Sequence, residues 1–99
     1  MSCATASELE RWRALEAPTV FSALAEHAKR DCSFVPLKDR RTSRWHVCAQ
    51  HRDYELLVKG CKFFDTRAAK GGGGAVDLAM HLLMVDFASA VVALRAAGL

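Results

Sequence analysis

The sequence predicts a single α+β domain, with helices at both ends of the chain and a small antiparallel sheet between them. Its length of 99 residues fits one domain with a modest core. Near both termini, apolar residues recur at the three- and four-residue spacing of amphipathic helices. In the middle, short runs rich in aromatic and β-branched residues are separated by turn residues, as in a sheet of short strands.

Two helices are predicted within residues 1–32, which we interpret as an N-terminal helical arm. Ser7 and Glu10 have the spacing of a capping box, which predicts that the first helix begins there. Pro18 is favourable in the first turn of a second helix. The apolar residues of that helix recur up to Ala28, so we expect it to extend that far.

A meander of three or four strands is predicted next. Trp45–Ala49 and Tyr54–Val58 are strand-like runs joined by four polar residues, the pattern of a hairpin. Cys61–Asp65 follows a turn at Gly60 and supplies the third strand. Phe34–Leu37 is a fourth candidate, and its proline restricts it to an edge or to the start of a strand.

Two C-terminal helices follow a run of four glycines, Gly71–Gly74. The helical period of apolar residues returns after the run, with Asp77 in the first turn, where a carboxylate favours the helix dipole. Asp86 is a suitable N-cap for a last helix over residues 87–97, and Gly98 is placed to end it.

Basic residues are concentrated in the middle third of the chain. Residues 38–70 contain nine Lys/Arg against four Asp/Glu, a net charge of +5. Residues 1–37 and residues 71–99 each have a net charge of −1. The middle third is therefore either a phosphate-facing surface or an ordinary solvated face of the sheet.

A cytoplasmic location is expected, without a membrane-spanning segment. No apolar run approaches the roughly 20 residues that cross a bilayer. Residues 1–17 lack the charged start and apolar middle of a signal peptide. In a reducing compartment the four cysteines are expected to be free thiols, mostly buried.

The glycine run and its basic neighbours are candidates for contacting phosphate. Glycine lets the backbone approach a ligand, so Gly72 and Gly73 could offer N–H groups to an anion beside Arg67 and Lys70. No Gly-Lys-Ser/Thr follows, so this is not a Walker A loop. The alternative is that the glycines only permit a sharp corner between a strand and a helix.

Aromatic residues alternate with basic residues along the predicted strands, a pattern that could stack bases and neutralise phosphates of a single strand. Large aromatic residues are also common in cores. We expect Trp45 and Phe64 to lie in the core, and the residues alone leave the positions of Tyr54 and Phe63 open.

No metal site and no catalytic site are expected. Zinc needs four converging ligands, and the sequence offers one close pair, Cys48 and His51, with Cys61 further along. Neither these residues nor Cys32 show an oriented third group, so we expect a non-enzyme that binds no cofactor.

The run FFDTRAAKGGGGAVDLAMHLL, with RRTSRWHV and RDYELL before it, resembles the N-terminal zinc-ribbon domain of bacterial DnaG-type primases. It is more similar to the degenerate version found ahead of Toprim domains in proteins of conjugative plasmids and integrative elements. The resemblance covers roughly residues 20–97. It implies a zinc-ribbon-like module over residues 33–97 without metal, because the paired cysteines that should lie at Asp65–Lys70 are absent.

The resemblance implies a non-catalytic module of a mobile-element primase-like protein that binds single-stranded or template DNA. The residues expected to carry this binding are Arg40, Arg41, Arg44, Lys62, Arg67, Lys70, Gly72 and Gly73. The alternative is a protein-interaction module that docks on a replication, conjugation or host-defence protein and inhibits it. The metal site is expected to be lost, and Cys48, His51 and Cys61 are either a remnant of its ligands or a coincidence.

Overall fold

The computed structural model of the protein describes residues 4–99, and this part of the chain forms four helices and one five-stranded sheet. The strands are all antiparallel and follow one another across the sheet in the order β1-β2-β3-β4-β5. The predicted α+β class is confirmed. In chain order the elements are α1 (Ala6–Ala14), α2 (Ala17–Leu24), β1 (His27–Arg30), β2 (Ser43–Ala49), β3 (Arg52–Lys59), β4 (Lys62–Asp65), β5 (Lys70–Gly73), α3 (Ala75–Leu83) and α4 (Phe87–Ala96).

Helix α1 begins two residues earlier than the sequence predicted, at a different capping box. The Thr5 hydroxyl accepts the N–H of Glu8 at 3.1 Å, and the Glu8 carboxylate accepts the N–H of Thr5 at 3.0 Å. Glu8 also accepts two hydrogen bonds of 2.7 Å from Arg95 of α4. The Arg95 guanidinium, followed by the Thr5 N–H, lowers the pKa of Glu8 to about 2. Glu8 therefore caps α1 and joins it to the last helix.

The prediction that α2 extends to Ala28 is wrong, because residues 27–30 form β1. The helix ends at Leu24, and the N–H of Glu26 then donates to the Cys48 carbonyl at 2.8 Å. Pairing continues along β2, with Lys29 opposite His46. The part of the predicted helical arm that the structure describes, residues 4–32, thus includes a strand that belongs to the sheet.

The candidate strand at Phe34–Leu37 is also wrong, because residues 31–42 form a loop. Asp31 accepts the N–H of Ser33 at 2.9 Å, which turns the chain directly after β1. Asp39 accepts the N–H of Arg41 at 2.9 Å before β2 begins. Local side-chain hydrogen bonds to the backbone therefore replace strand pairing in this segment.

The predicted meander is confirmed as β2, β3 and β4, and β5 extends it. Strand β5 was not predicted because three of its four residues are glycine, which has low strand propensity. The glycines make space for the phenyl rings of the neighbouring strand. A Cβ at Gly71 would lie 3.1 Å from the Phe64 ring, and one at Gly72 would lie 3.1 Å from the Phe63 ring.

The helices pack on one face of the sheet, which carries the core. Alternate strand residues point to that face, among them Tyr54 and Phe63, which are 8% and 6% exposed. Phe64 points to the opposite face and is 43% exposed, so the prediction that it lies in the core is wrong. Trp45 is half-buried at the margin of the core.

The two C-terminal helices follow the sequence prediction closely. Gly74 alone forms the corner after β5, with φ of +91°, a conformation that side chains rarely adopt. The Asp86 carboxylate accepts the N–H of Ser89 at 2.9 Å and caps α4. Gly98, with φ of +78°, ends that helix. Within residues 4–99, no single helix is both long and apolar enough to cross a membrane.

Candidate nucleic-acid interface

A basic groove lies at one end of the sheet, where the β3–β4 turn meets the beginnings of α2 and β2. We call it the end groove, and its volume is about 690 Å³. Among the described residues, four cationic side chains and one carboxylate, that of Glu16, line it. The cations are Arg30, Arg41, Lys59 and Lys62. Such a surplus of positive charge in a concave surface favours a polyanion.

One carboxylate beside the end groove neutralises part of this charge. Asp39 accepts a 2.6 Å contact from Lys59 and a 3.3 Å contact from Arg41. The Lys59 ammonium, then Arg41, holds the pKa of Asp39 well below its usual range. Within residues 4–99, Arg30 and Lys62 have no ion-pair partner. These two cations are therefore the ones available to a ligand.

An aromatic wall completes the end groove. Trp45 lies opposite Arg30 in the β1–β2 register and lines the groove. Its indole N–H donates to the Ser43 hydroxyl at 2.9 Å, and its ring packs edge-on against Phe21 with centroids 5.1 Å apart. The indole is thus fixed with part of its surface open, an arrangement that can stack a nucleobase.

The structure places two of the predicted basic residues, Arg41 and Lys62, together in the end groove. It does not place Arg44 there. Arg44 pairs with Asp31 through contacts of 2.5 and 2.9 Å, and its guanidinium lies 5.1 Å from the Phe34 ring centroid. Arg44 therefore holds the loop of residues 31–42 against the sheet.

The remaining predicted cations lie elsewhere. Arg40 is exposed in the loop of residues 31–42. Arg67 and Lys70 flank the β4–β5 turn, at the other end of β4 from Lys62. Three residues of strand separate the two ends, a distance of roughly 10 Å. The predicted cations thus do not form one continuous face, since they fall into two separate pairs, and Arg40 and Arg44 belong to neither pair.

Neither of the two predicted glycines has its N–H free for a phosphate. The N–H of Gly73 donates to the Asp77 carboxylate at 3.2 Å. The N–H of Gly74 donates to the Cys61 carbonyl in the turn before β4, at 2.9 Å. The N–H groups of alternate strand residues point the same way, so the N–H of Gly72, two residues before Gly74, faces β4 as that of Gly74 does. The glycines therefore serve packing and strand pairing.

A buried acid–imidazole pair lies near the β4–β5 turn. Asp65 is 4% exposed, and one of its carboxylate oxygens is 2.7 Å from Nε2 of His81 on α3. The other oxygen accepts the N–H groups of Arg67 at 3.0 Å and Ala68 at 3.1 Å. Burial raises the pKa of Asp65, but these hydrogen bonds, from His81 first, outweigh it and lower the pKa overall.

The remnant metal ligands do not converge. Cys48 lies at the β2–β3 end of the sheet and Cys61 at the β3–β4 turn, separated by six residues of β3, or roughly 20 Å. Cys48 and His51 instead share Glu26, whose carboxylate lies 3.7 and 3.9 Å from their side chains. No group of three His, Cys, Asp or Glu side chains within residues 4–99 is arranged to hold a metal ion.

The thiols differ from the prediction in burial. Cys32 is exposed, and Cys48 and Cys61 are half-buried and unpaired. Burial, followed by the charges of Glu26 and Asp53, raises the pKa of the Cys48 thiol. Cys3 lies outside the described residues.

Sequence reasoning missed four residues of these two sites. Arg30 reaches the end groove only because β1 pairs with β2, for which the sequence has no local signal. Lys59 reaches it as the last residue of β3, opposite Lys62 of β4. A signal did exist for Asp65: it lies two positions after Phe63, so it shares the buried face of β4 once Phe63 is placed there. The helical register of α3 then places His81 on the side of the helix that faces β4.

An exposed apolar patch forms part of the loop between β1 and β2. Val35 is 76% exposed and Leu37 is 99% exposed. They border a cleft of about 360 Å³ beside Leu57 on the face of the sheet that the helices leave open. An exposed patch of this kind is typical of an interaction surface.

The comparisons with known proteins leave the family open. A 42-residue segment, 42% of this chain, is 43% identical to part of a protein described as a 65 kDa protein from Zymomonas mobilis subsp. mobilis. The matched segment spans 7% of the length of that protein. No protein-family model matches the chain, and no solved structure matches it.

Proposed function

We propose that this domain binds single-stranded nucleic acid in the end groove, as a non-catalytic module of a primase-like protein of a mobile element. The observation that carries the proposal is the presence of two cations, Arg30 and Lys62, that have no ion-pair partner among the described residues and lie beside the open indole of Trp45. Cations neutralise phosphates, and an aromatic surface stacks bases of any sequence. The resemblance to primase zinc-ribbon domains supports DNA as the strand.

The charge of the end groove is tested by replacing Arg30 and Lys62 together with glutamine. We expect affinity for a labelled single-stranded oligonucleotide at low salt to fall at least about tenfold, because two phosphate contacts are lost. The slope of log affinity against log salt should shrink by about 1.4, since each contact to a single strand contributes about 0.7. Fluorescence anisotropy over a salt series measures both quantities.

The matched control replaces Lys29 and Lys38, two exposed lysines outside the end groove, with glutamine. This variant has the same net charge as the test variant. Equal weakening in both variants would show that total charge, and not the end groove, binds the strand. Arg44 is left intact in both, because its loss would release Asp31.

The stacking contact is tested by fluorescence. The chain has two tryptophans, and Trp12 is 1% exposed whereas Trp45 is half-buried in the end groove. We expect a single-stranded oligonucleotide to quench the emission of the wild type, and Trp45→Phe to lose that quenching. Quenching that persists in Trp45→Phe would place the strand elsewhere.

The exposed apolar patch favours a second candidate function, docking on a protein of the replication, conjugation or defence machinery. Val35 and Leu37 are too exposed to contribute to the core. Partners captured from lysate with and without nuclease separate the two candidates. Capture that survives nuclease and is lost in Leu37→Asp supports protein docking, and capture that nuclease abolishes supports nucleic acid.

A further inference from the structure

A second groove lies between the edge strand β5 and helix α3. It is near the end of β4 that is further from the end groove. Two adjoining cavities of about 270 and 480 Å³ share four lining residues and form this groove. The shared residues are Lys70, Met80, His81 and Val85. We call it the His81 groove, because that imidazole forms part of the wall of both cavities.

The imidazole of His81 is held in one orientation. Its Nε2 lies 2.7 Å from the Asp65 carboxylate, and its ring packs against Tyr54 and Phe63 with centroids 5.5 and 5.6 Å away. Within residues 4–99, Nδ1 has no hydrogen-bond partner, and the only buried side-chain nitrogen or oxygen without one is Nε1 of Trp12. Nδ1 is therefore open to the groove or to solvent.

Two cations and two carboxylates line the His81 groove, and within residues 4–99 Lys70 is the charged group among them without a hydrogen-bond or ion-pair partner. Lys70 lines both cavities, is exposed, and has no ion-pair partner among residues 4–99. Arg52 adds a second cation at the far rim. The two carboxylates nearby are already engaged, Asp65 by three donors and Asp77 by the N–H of Gly73.

We propose that the His81 groove binds a phosphate group, with Lys70 and Nδ1–H of His81 as its donors. In the imidazolium form both ring nitrogens donate, one to Asp65 and the other to the phosphate. Asp65 is then a positioning residue that fixes the ring. The apolar wall of Phe63, Met80 and Val85 suits the organic part attached to the phosphate. This proposal does not depend on binding in the end groove.

The first test uses inorganic phosphate as the probe in calorimetric titrations at low salt. We expect Lys70→Gln to weaken phosphate binding about tenfold, the loss typical of one charge-assisted hydrogen bond. Lys29 is a matched exposed lysine on another strand, β1, so the Lys29→Gln variant should bind phosphate as the wild type does. Both variants should unfold at the wild-type temperature, because both side chains are exposed.

The second test identifies His81 as a ligand. Phosphate binding should weaken about tenfold in His81→Gln, the loss typical of one charge-assisted hydrogen bond. A purely structural role of His81 would lower the melting temperature of the variant and leave the affinity of the folded protein for phosphate unchanged.

Three ligands then distinguish the sources of phosphate: a nucleoside monophosphate, an oligonucleotide with a 5′-phosphate, and the same oligonucleotide without it. Preference for the phosphorylated end, retained in the Arg30/Lys62 double variant, assigns the groove to a nucleic-acid terminus. Preference for the mononucleotide assigns it to a free nucleotide. The proposal is overturned if phosphate does not bind at millimolar concentration, or if Lys70→Gln binds it as tightly as the wild type.

Discussion

Asp65→Ala is expected to lower the free energy of unfolding by roughly 3 kcal/mol, because it leaves hydrogen-bond donors around a buried carboxylate without their acceptor. Asp65 is the one buried charged residue among residues 4–99. Its carboxylate holds His81 of α3 together with the N–H groups of Arg67 and Ala68 in the β4–β5 turn. Alanine would leave three donors without their acceptor. For a domain of this size the melting temperature should fall by more than about 10 °C.

The contribution of Asp65 to the free energy of unfolding should decrease as the pH is lowered. The pKa of Asp65 is lowered on folding, from a value of about 3.9 in an unfolded chain. Its contribution to the free energy of unfolding is therefore fully present above about pH 5 and is lost as the pH falls below about 4. The stability difference between the wild type and Asp65→Ala should accordingly narrow in acid.

Urea unfolding at about pH 7 and at about pH 2.5, well below the unfolded pKa of an aspartate, measures this difference. Asp53→Ala is the matched control, because Asp53 is an exposed aspartate on the neighbouring strand β3. It should change the free energy of unfolding by less than about 0.5 kcal/mol, as ordinary surface substitutions do. The role assigned to Asp65 and His81 would be contradicted if Asp65→Ala changed the free energy of unfolding as little as Asp53→Ala does. It would also be contradicted if the stability difference between the wild type and Asp65→Ala grew as the pH falls.

The elements that the sequence predicted correctly are those with strong local signals. Helices α3 and α4 have a helical apolar period, and α4 has an aspartate cap and a terminal glycine. The strands β2, β3 and β4 have apolar runs separated by polar turns. In each of these elements, periodicity and capping agree with the tertiary packing, so local reasoning was sufficient.

The two edge strands were missed because their pairing is non-local. The sequence of β1, HAKR, extends the apolar period of α2, and only its register with β2, about 20 residues away, makes it a strand. Strand β5 consists mostly of glycine, because side chains at Gly71 and Gly72 would collide with the rings of Phe64 and Phe63 on β4. Tertiary context overrides propensity in both cases.

The candidate site was only partly predictable for a similar reason. Counting charges located the basic third of the chain, but it could not show which cations are neutralised. Arg44 is paired with Asp31, and Lys59 with Asp39, whereas Arg30 lies outside the basic third and forms no ion pair among the described residues. Availability of a cation depends on long-range partners, so it is a property of the fold and not of composition.

Gly72→Val is expected to lower the free energy of unfolding by about 2 kcal/mol, within the usual range for overpacking a core. A Cβ at this position would lie 3.1 Å from two ring atoms of Phe63 and 3.2 Å from Cβ of Asp77. Both neighbours are fixed, since Phe63 is 6% exposed and Asp77 accepts the N–H of Gly73. The two γ-methyl groups of valine add to the collision.

The neighbouring glycine provides the control. A Cβ at Gly73 meets nothing closer than Cγ of Lys62 at 3.8 Å, an ordinary contact. Gly73→Val should therefore be neutral or slightly stabilising, because valine favours a strand more than glycine does. Thermal and urea unfolding of the two variants compare a packed glycine with an open one on the same strand.

A double-variant cycle then assigns the cost to the Phe63 ring. Phe63→Leu removes the ring atoms nearest to Gly72, so adding it to Gly72→Val should recover part of the lost stability, with a coupling energy of about 1 kcal/mol. A backbone role in anion binding predicts the opposite pattern: Gly72→Val would weaken phosphate binding without a change in unfolding, and Phe63→Leu would not compensate. The cycle thus decides between packing and ligand binding as the reason for glycine at position 72.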